Sequence, residues 1–137
     1  MPMSTALMST EVACGLSRYW ACDNQTVVGL PMPGAEFKLI PMADRFEIRV
    51  RSKGVTPGYI NDPEKTSEAF DAEGFFKMGD AVSFLDPGTP EKGLCFAGLN
   101  CLLLSHKQTL SYPQHNLYIT CCFYYRFYVI SRLCFII

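Results

Sequence analysis

Alternating apolar and polar residues mark two short segments in the first half of the chain. Residues 36–40 (EFKLI) and 46–50 (FEIRV) both alternate, and residues 42–45 link them. A period of two places every second side chain on the same face of a sheet, so we predict a β-hairpin. Its expected core residues are Phe37, Leu39, Phe46, Ile48 and Val50. Its expected solvent-facing residues are Glu36, Lys38, Glu47 and Arg49.

Turn residues divide the surrounding sequence. The segment 29–34 (GLPMPG) predicts a loop, because its prolines fix φ and its glycines permit turns. Asp62 followed by Pro63 is typical of a helix start and predicts a short helix over 63–70. The expected fold class over residues 27–98 is therefore α+β, mostly β, with one short helix. Further short strands are expected at 75–78, 81–85 and 92–98.

The C-terminal tail is apolar and has two possible structures. Residues 117–137 contain only two charged side chains, Arg126 and Arg132, and are long enough to span a bilayer as a helix. A mid-span arginine costs about 2.5–3.5 kcal/mol, however. Alternation over 119–129 instead favours a strand, with a membrane anchor as the alternative. The abrupt change of composition after Leu99 is typical of translation through an intron or a shifted frame.

Composition narrows the class of protein. A net charge of -1, from 12 basic and 13 acidic residues, argues against a nucleic-acid partner. Residues 1–9 show no secretory signal pattern, so we expect a cytoplasmic location and reduced thiols for the seven cysteines. No C-x-x-C pair is present to predict zinc binding. His106 and His115 are expected to be solvated side chains.

A series of short motifs lies between residues 50 and 80. They are Gly58-Tyr59, Pro63-Glu64, Thr66, Ala69-Phe70, Gly74-Phe75 and Gly79-Asp80. Their order resembles that of adenylate-forming (AMP-binding) acid–CoA ligases, and feruloyl-CoA synthetase-like members look closest. The resemblance covers residues 7–98 and implies a β subdomain from the end of the large N-terminal domain, in a partial chain.

The resemblance implies a role for three residues. The Thr10 hydroxyl would contact the AMP phosphate, the Glu11 carboxylate would support Mg²⁺, and Asp80 would accept hydrogen bonds from the ribose. These groups suit the roles, because a hydroxyl can donate to phosphate and Mg²⁺ prefers oxygen ligands. The implied cofactors are ATP/AMP, Mg²⁺ and coenzyme A. The implied substrate is a carboxylic acid, with an aromatic acid such as a hydroxycinnamate as the expected class.

The sequence also departs from the family pattern. Leu7 stands where the family usually has an aromatic residue, and Leu99 stands where it has a hinge arginine. None of the 137 residues matches the glycine-rich phosphate loop or the catalytic lysine, so we expect no independent ligase activity. The alternatives are a non-catalytic interaction protein and a membrane-anchored remnant. The expected divisions are a partial nucleotide-site loop region (1–26), the ligase subdomain (27–98) and a non-family tail (99–137).

Overall fold

An antiparallel sheet forms the centre of the computed structural model, which describes residues 4–99, 117–121 and 127–131. The strands are β1 (Thr5–Ser9), β2 (Val12–Arg18), β3 (Val27–Pro31), β4 (Glu36–Pro41), β5 (Phe46–Arg51), β6 (Phe76–Phe84), β7 (Leu94–Leu99), β8 (Leu117–Cys121) and β9 (Phe127–Ser131). Their order in the sheet is β1-β2-β3-β7-β6-β5-β4-β8-β9. The α-helix α1 (Pro63–Ala69) and a 3-10 helix (Pro90–Lys92) lie between strands. The predicted mostly β fold with one short α-helix is confirmed.

The hairpin of β4 and β5 pairs as the alternation predicts. Phe37 lies opposite Val50 and Leu39 opposite Ile48. All four side chains, together with Phe46, are fully buried. The hydrophobic period of two therefore determined which face of these strands forms the core.

Helix α1 begins and ends with contacts that the local sequence encodes. The Asp62 carboxylate accepts a hydrogen bond from the Lys65 backbone N–H at 2.9 Å, and Pro63 occupies the first turn. This satisfies one of the free N–H groups at the helix start. After the helix, the Phe70 ring packs edge to face against Phe76, with centroids 5.5 Å apart. The cap and this aromatic contact attach a helix of less than two turns to the sheet.

Lys38 does not face water, and that prediction is wrong. Its side chain is 7% exposed, and its Nζ lies 2.9 Å from both Asp71 Oδ2 and Glu73 Oε1. Arg49 Nη1 also reaches Asp71 Oδ2, at 3.2 Å. Alternation assigned Lys38 to the face opposite the core, but the turn between α1 and β6 covers that face. We call Lys38, Arg49, Asp71 and Glu73 the Asp71 cluster.

Two other segments differ from expectation. Residues 29–31, expected as a loop, form the end of β3, where Leu30 pairs with Ser17 and Pro31 with Leu16. Residues 5–18, expected within a loop region, form the hairpin of β1 and β2. Burial of the apolar run in β3 outweighs its glycine and proline, a tertiary effect that local propensity does not capture.

Two short tail segments also form strands. Strand β8 pairs with β4, with Leu39 opposite Leu117, and β9 pairs with β8. The strand prediction for 119–129 agrees with β8 and the start of β9, while residues 122–126 lie outside the described residues. Within the described ranges, no helix is long and apolar enough to cross a membrane. His106 and His115 also lie outside those ranges.

Removing the Asp71 carboxylate is expected to destabilise the fold. Burial alone would raise the pKa of Asp71, but hydrogen bonds from Lys38, the Phe75 backbone and Arg49 lower it to about 2. The substitution D71N should lower the free energy of unfolding by about 3 kcal/mol, because it removes one of the two carboxylates that contact the buried Lys38 ammonium. Urea denaturation at pH 7 measures the change.

The same substitution should change the pH dependence of stability. The pKa of Asp71 is about 2 in the fold against 3.8 for the free group. The carboxylate therefore contributes roughly 2 kcal/mol above pH 5, which is lost as the pH falls towards 2. D71N should lack this part of the acid dependence. The control is D86N. Asp86 also has a pKa of about 2, but its side chain is 41% exposed. D86N should therefore change the free energy of unfolding much less than D71N does.

Gly29 is expected to tolerate no side chain. Its φ is +97°, and an added Cβ would overlap the Ser17 carbonyl group on β2. We expect G29A to separate β2 from β3 and to lower the melting temperature strongly. The matched variant is G34A, because Gly34 also has a positive φ, +82°, but has no atom within 4 Å of an added Cβ. G34A should cost only the strain of about 1–2 kcal/mol, and equal losses would contradict the steric argument.

Candidate functional site

Thr10 and Glu11 form the turn between β1 and β2. Ser9 pairs with Val12, which closes the hairpin around these two residues. The Glu11 carbonyl oxygen accepts a hydrogen bond from Thr56 N at 2.8 Å, and Ala13 N donates to the Gly54 carbonyl oxygen at 2.9 Å. Thr10 is exposed and Glu11 is partly buried. The loop at 54–56 thus holds the turn against the sheet and leaves the Thr10 side chain at the surface.

The Glu11 carboxylate is ordered by Tyr59. The Tyr59 hydroxyl donates a hydrogen bond to Glu11 Oε1 at 3.1 Å. The pKa of Glu11 is lowered, first by its own backbone N–H and then by Tyr59, while partial burial acts in the opposite direction. Lys65 adds a smaller lowering, and its Nζ lies 4.3 Å from the centre of the Tyr59 ring. Glu11 is therefore an ionised carboxylate at neutral pH.

Helix α1 in turn fixes Tyr59. The Tyr59 backbone N–H donates to Thr66 Oγ1 at 2.9 Å, and Thr66 Oγ1 donates to the Asp62 carbonyl oxygen at 2.7 Å. Gly58 packs so closely on Thr66 that an added Cβ would lie 2.6 Å from the Thr66 methyl carbon. No role at the site was predicted for Tyr59 from the sequence. The adjacent motifs Gly58-Tyr59 and Thr66 were the signal that could have identified it.

Asp80 lies at a bulge within β6. Lys77 pairs with Arg49 and Ala81 with Glu47, so residues 78–80 lie opposite the single residue Ile48. Gly79 has a φ of +77°, which only glycine adopts readily. Bulges bend a strand locally and redirect its side chains. The predicted interruption of the strand at Gly79-Asp80 is thus a bulge in one continuous strand.

The Asp80 carboxylate retains its capacity to accept hydrogen bonds. It is partly exposed, and burial raises its pKa above the usual value. Within the described part of the chain, no hydrogen bond or ion pair involves its side chain. It differs in this respect from Asp71 and Asp86, whose oxygens are all engaged by neighbours. Asp80 is a carboxylate positioned by the backbone but not used by the fold.

The site residues form two separate groups. Thr10 and Glu11 share one turn, whereas Asp80 lies on β6, with β3 and β7 between it and β2. In the strand order, β2 and β6 are therefore three strand spacings of about 4.8 Å apart. No contact links them, so a ligand that used both would have to bridge them.

The donor groups suit magnesium only in part. Across residues 4–99, no three His, Cys, Asp or Glu side chains are grouped so that they could hold a metal ion. Protein-bound Mg²⁺ commonly takes one or two carboxylates and completes its shell with water and substrate phosphates. The ionised Glu11 beside the exposed Thr10 fits that arrangement. Glu11 could therefore support an ion that arrives with a nucleotide.

Sequence comparison gives relatives for about half of the chain. The chain is 40% identical over 63 residues to long-chain-fatty-acid–CoA ligase 2 of Schizosaccharomyces pombe, and the match covers 39% of this chain and 9% of that protein. It is 36% identical over 70 residues to long-chain-fatty-acid–CoA ligase 6 of Homo sapiens, covering 45% of this chain and 10% of that protein. The chain thus spans about a tenth of the length of these relatives. No family model matches the sequence.

Solved structures match a larger share of the chain. A malonyl-CoA ligase in a ternary product complex with methylmalonyl-CoA and AMP matches with a TM-score of 0.56 and 32% identity, over 66% of this chain and 20% of that one. Apo MatB from Rhodopseudomonas palustris matches with a TM-score of 0.58 and 25% identity, over 69% and 20%. These relatives and structural neighbours are acyl-CoA ligases, and the fold of this chain matches part of a ligase domain of that kind.

Proposed function

We propose that the chain is a fragment of an AMP-dependent acid–CoA ligase. The parent reaction joins a carboxylic acid to the AMP part of ATP as an acyl-adenylate with release of pyrophosphate, then transfers the acyl group to the thiol of coenzyme A with release of AMP. The observation that supports this best is the match to the AMP-bound malonyl-CoA ligase, which extends over 66% of the chain. A likeness in both sequence and fold over this length favours a common origin.

The β1–β2 turn supplies the phosphate side of the proposed site. The exposed Thr10 hydroxyl can donate to a phosphoryl oxygen, and the ionised Glu11 can ligate Mg²⁺ directly or through water. The magnesium, when bound with the nucleotide, would neutralise charge on the phosphates. The contacts from Thr56 and Tyr59 support this role, because they hold the turn in one conformation before any ligand arrives.

The bulge in β6 supplies the ribose side. A carboxylate can accept hydrogen bonds from two neighbouring hydroxyls, and such charge-assisted bonds are stronger than neutral ones. Asp80 has this capacity available because the described fold does not use it. The separation between β6 and β2 is bridged in this proposal by one extended nucleotide, with its ribose at Asp80 and its phosphates at Thr10.

The acyl substrate and the activity of the chain alone are further parts of the proposal. An aromatic acid such as a hydroxycinnamate is proposed on the resemblance to feruloyl-CoA synthetase-like sequences. The chain contains one wall of the nucleotide site and, in its 137 residues, neither a glycine-rich phosphate loop nor the catalytic lysine. We therefore propose that the chain binds nucleotide weakly and does not catalyse the reaction unaided. We also propose that it is located in the cytoplasm.

Asp80 is expected to determine binding of AMP through the ribose. In a titration followed by NMR, D80N should weaken AMP binding about tenfold, because an amide loses the charge-assisted bonds. It should not change the affinity for 2′,3′-dideoxy-AMP, which lacks both ribose hydroxyls. The matched control is D23N, since Asp23 is an exposed aspartate outside the site. Equal effects of D80N on the two nucleotides would contradict the assignment.

The chain alone is expected to release no pyrophosphate. We would incubate it with ATP, Mg²⁺, ferulate and coenzyme A and measure pyrophosphate and acyl-CoA. Turnover that exceeds a heat-denatured sample and disappears in E11Q would contradict the proposed inactivity while supporting the ligase assignment.

A further inference from the structure

We propose that Tyr59 is a positioning residue that holds the Glu11 carboxylate in the orientation required for magnesium–nucleotide binding. The inference rests on the proposed function, because Glu11 is a metal-supporting residue only within it. Tyr59 itself would not touch the metal or the nucleotide. Its effect would pass through the single hydrogen bond to Glu11 Oε1.

The first support is that helix α1 holds the backbone of Tyr59. A glutamate has three side-chain torsions and loses up to about 2 kcal/mol of rotamer entropy when it is held in place. Tyr59 has only two torsions, and its backbone is bonded to Thr66 on α1. Gly58 packs against the same threonine. Tyr59 is therefore a suitable anchor, and Glu11 is the group that needs one.

The second support is the geometry around the Tyr59 side chain. Its hydroxyl lies 3.1 Å from Glu11 Oε1, and Lys65 Nζ lies 4.3 Å from the centre of its ring. This cation–π contact favours the observed position of the ring. The Tyr59 hydroxyl is thus held within hydrogen-bond distance of Glu11.

The third support is that the contact joins two distant segments. Glu11 and Tyr59 are 48 positions apart in the chain. The only other described links between these segments are backbone bonds at Ala13 and Thr56 and the bridge of Val12 with Val55. Those bonds place the turn, and from residues 54–59 it is the Tyr59 hydroxyl that contacts the Glu11 carboxylate. Removing this hydroxyl should therefore remove the contact to the carboxylate and leave the turn in place.

The test compares the 137-residue chain with Y59F. We would measure ATP affinity by calorimetry, once with excess Mg²⁺ and once with EDTA, and the pKa of Glu11 by carbon-detected NMR. Y59F should raise the pKa of Glu11 and weaken ATP binding about tenfold in Mg²⁺, the size typical for partners of metal ligands. It should not change ATP binding in EDTA. A purely structural role would alter both conditions equally.

The matched control is Y19F, because Tyr19 is 66% exposed and lies outside the site. It should leave the pKa of Glu11 and both affinities unchanged. E11Q serves as the reference for complete loss, and Y59F combined with E11Q should be no weaker in Mg²⁺ than E11Q alone. Additive losses in the double variant would overturn the proposal, because Tyr59 would then act independently of Glu11.

The remaining outcomes separate this inference from the proposed function. An unchanged pKa of Glu11 in Y59F, or a changed pKa without loss of Mg²⁺-dependent affinity, would overturn the positioning role alone. If E11Q itself left Mg²⁺-dependent affinity unchanged, or if the chain bound no ATP, the proposed function would fail and this inference with it. Near-ultraviolet circular dichroism establishes that each variant is folded.

Discussion

The arrangement of this structure depends on one buried carboxylate, Asp71, and the charges around it. Its Oδ2 accepts hydrogen bonds from the Lys38 ammonium on β4 and the Arg49 guanidinium on β5. Its Oδ1 accepts a hydrogen bond from the Phe75 backbone N–H. These contacts fix the connection from α1 to β6 against the face of the β4–β5 hairpin that lies opposite the core. Because several donors engage one anion, its ionised form is stabilised despite burial. Burial of the Lys38 ammonium is in turn compensated by its ion pairs with Asp71 and Glu73.

The two elements that flank Asp71 in the chain, α1 and β6, both help to position the candidate site. Helix α1 precedes Asp71 and contains Thr66, which holds Tyr59 and through it Glu11. Strand β6 follows Asp71 and contains the bulge that positions Asp80. Asp80 is placed by backbone geometry, whereas the Glu11 carboxylate also accepts a hydrogen bond from Tyr59. The Asp80 carboxylate can therefore bind a ligand without first breaking an internal bond, which lowers the cost of binding.

The match to ligase structures concerns the fold of the chain, whereas the local geometry concerns single side chains. The comparisons describe the sheet and its likeness to part of an AMP-binding domain. The contact of Tyr59 with Glu11 and the unused acceptors of Asp80 are properties of single side chains. A fold alone does not define a reaction, because function depends on the site. The fold therefore supports the proposed nucleotide site, and the three site residues would make its contacts.

The sequence by itself determined the β4–β5 hairpin, the start of α1 and the mostly β class, because these depend on periodicity and on neighbouring residues such as Asp62 and Pro63. It also indicated Thr10, Glu11 and Asp80 through their resemblance to a family pattern. Tertiary structure decided the burial of Lys38, the strand at Gly29 and the contact of Tyr59 with Glu11. Each of these joins residues distant in the chain, and neither propensity nor spacing encodes which surface will cover a side chain.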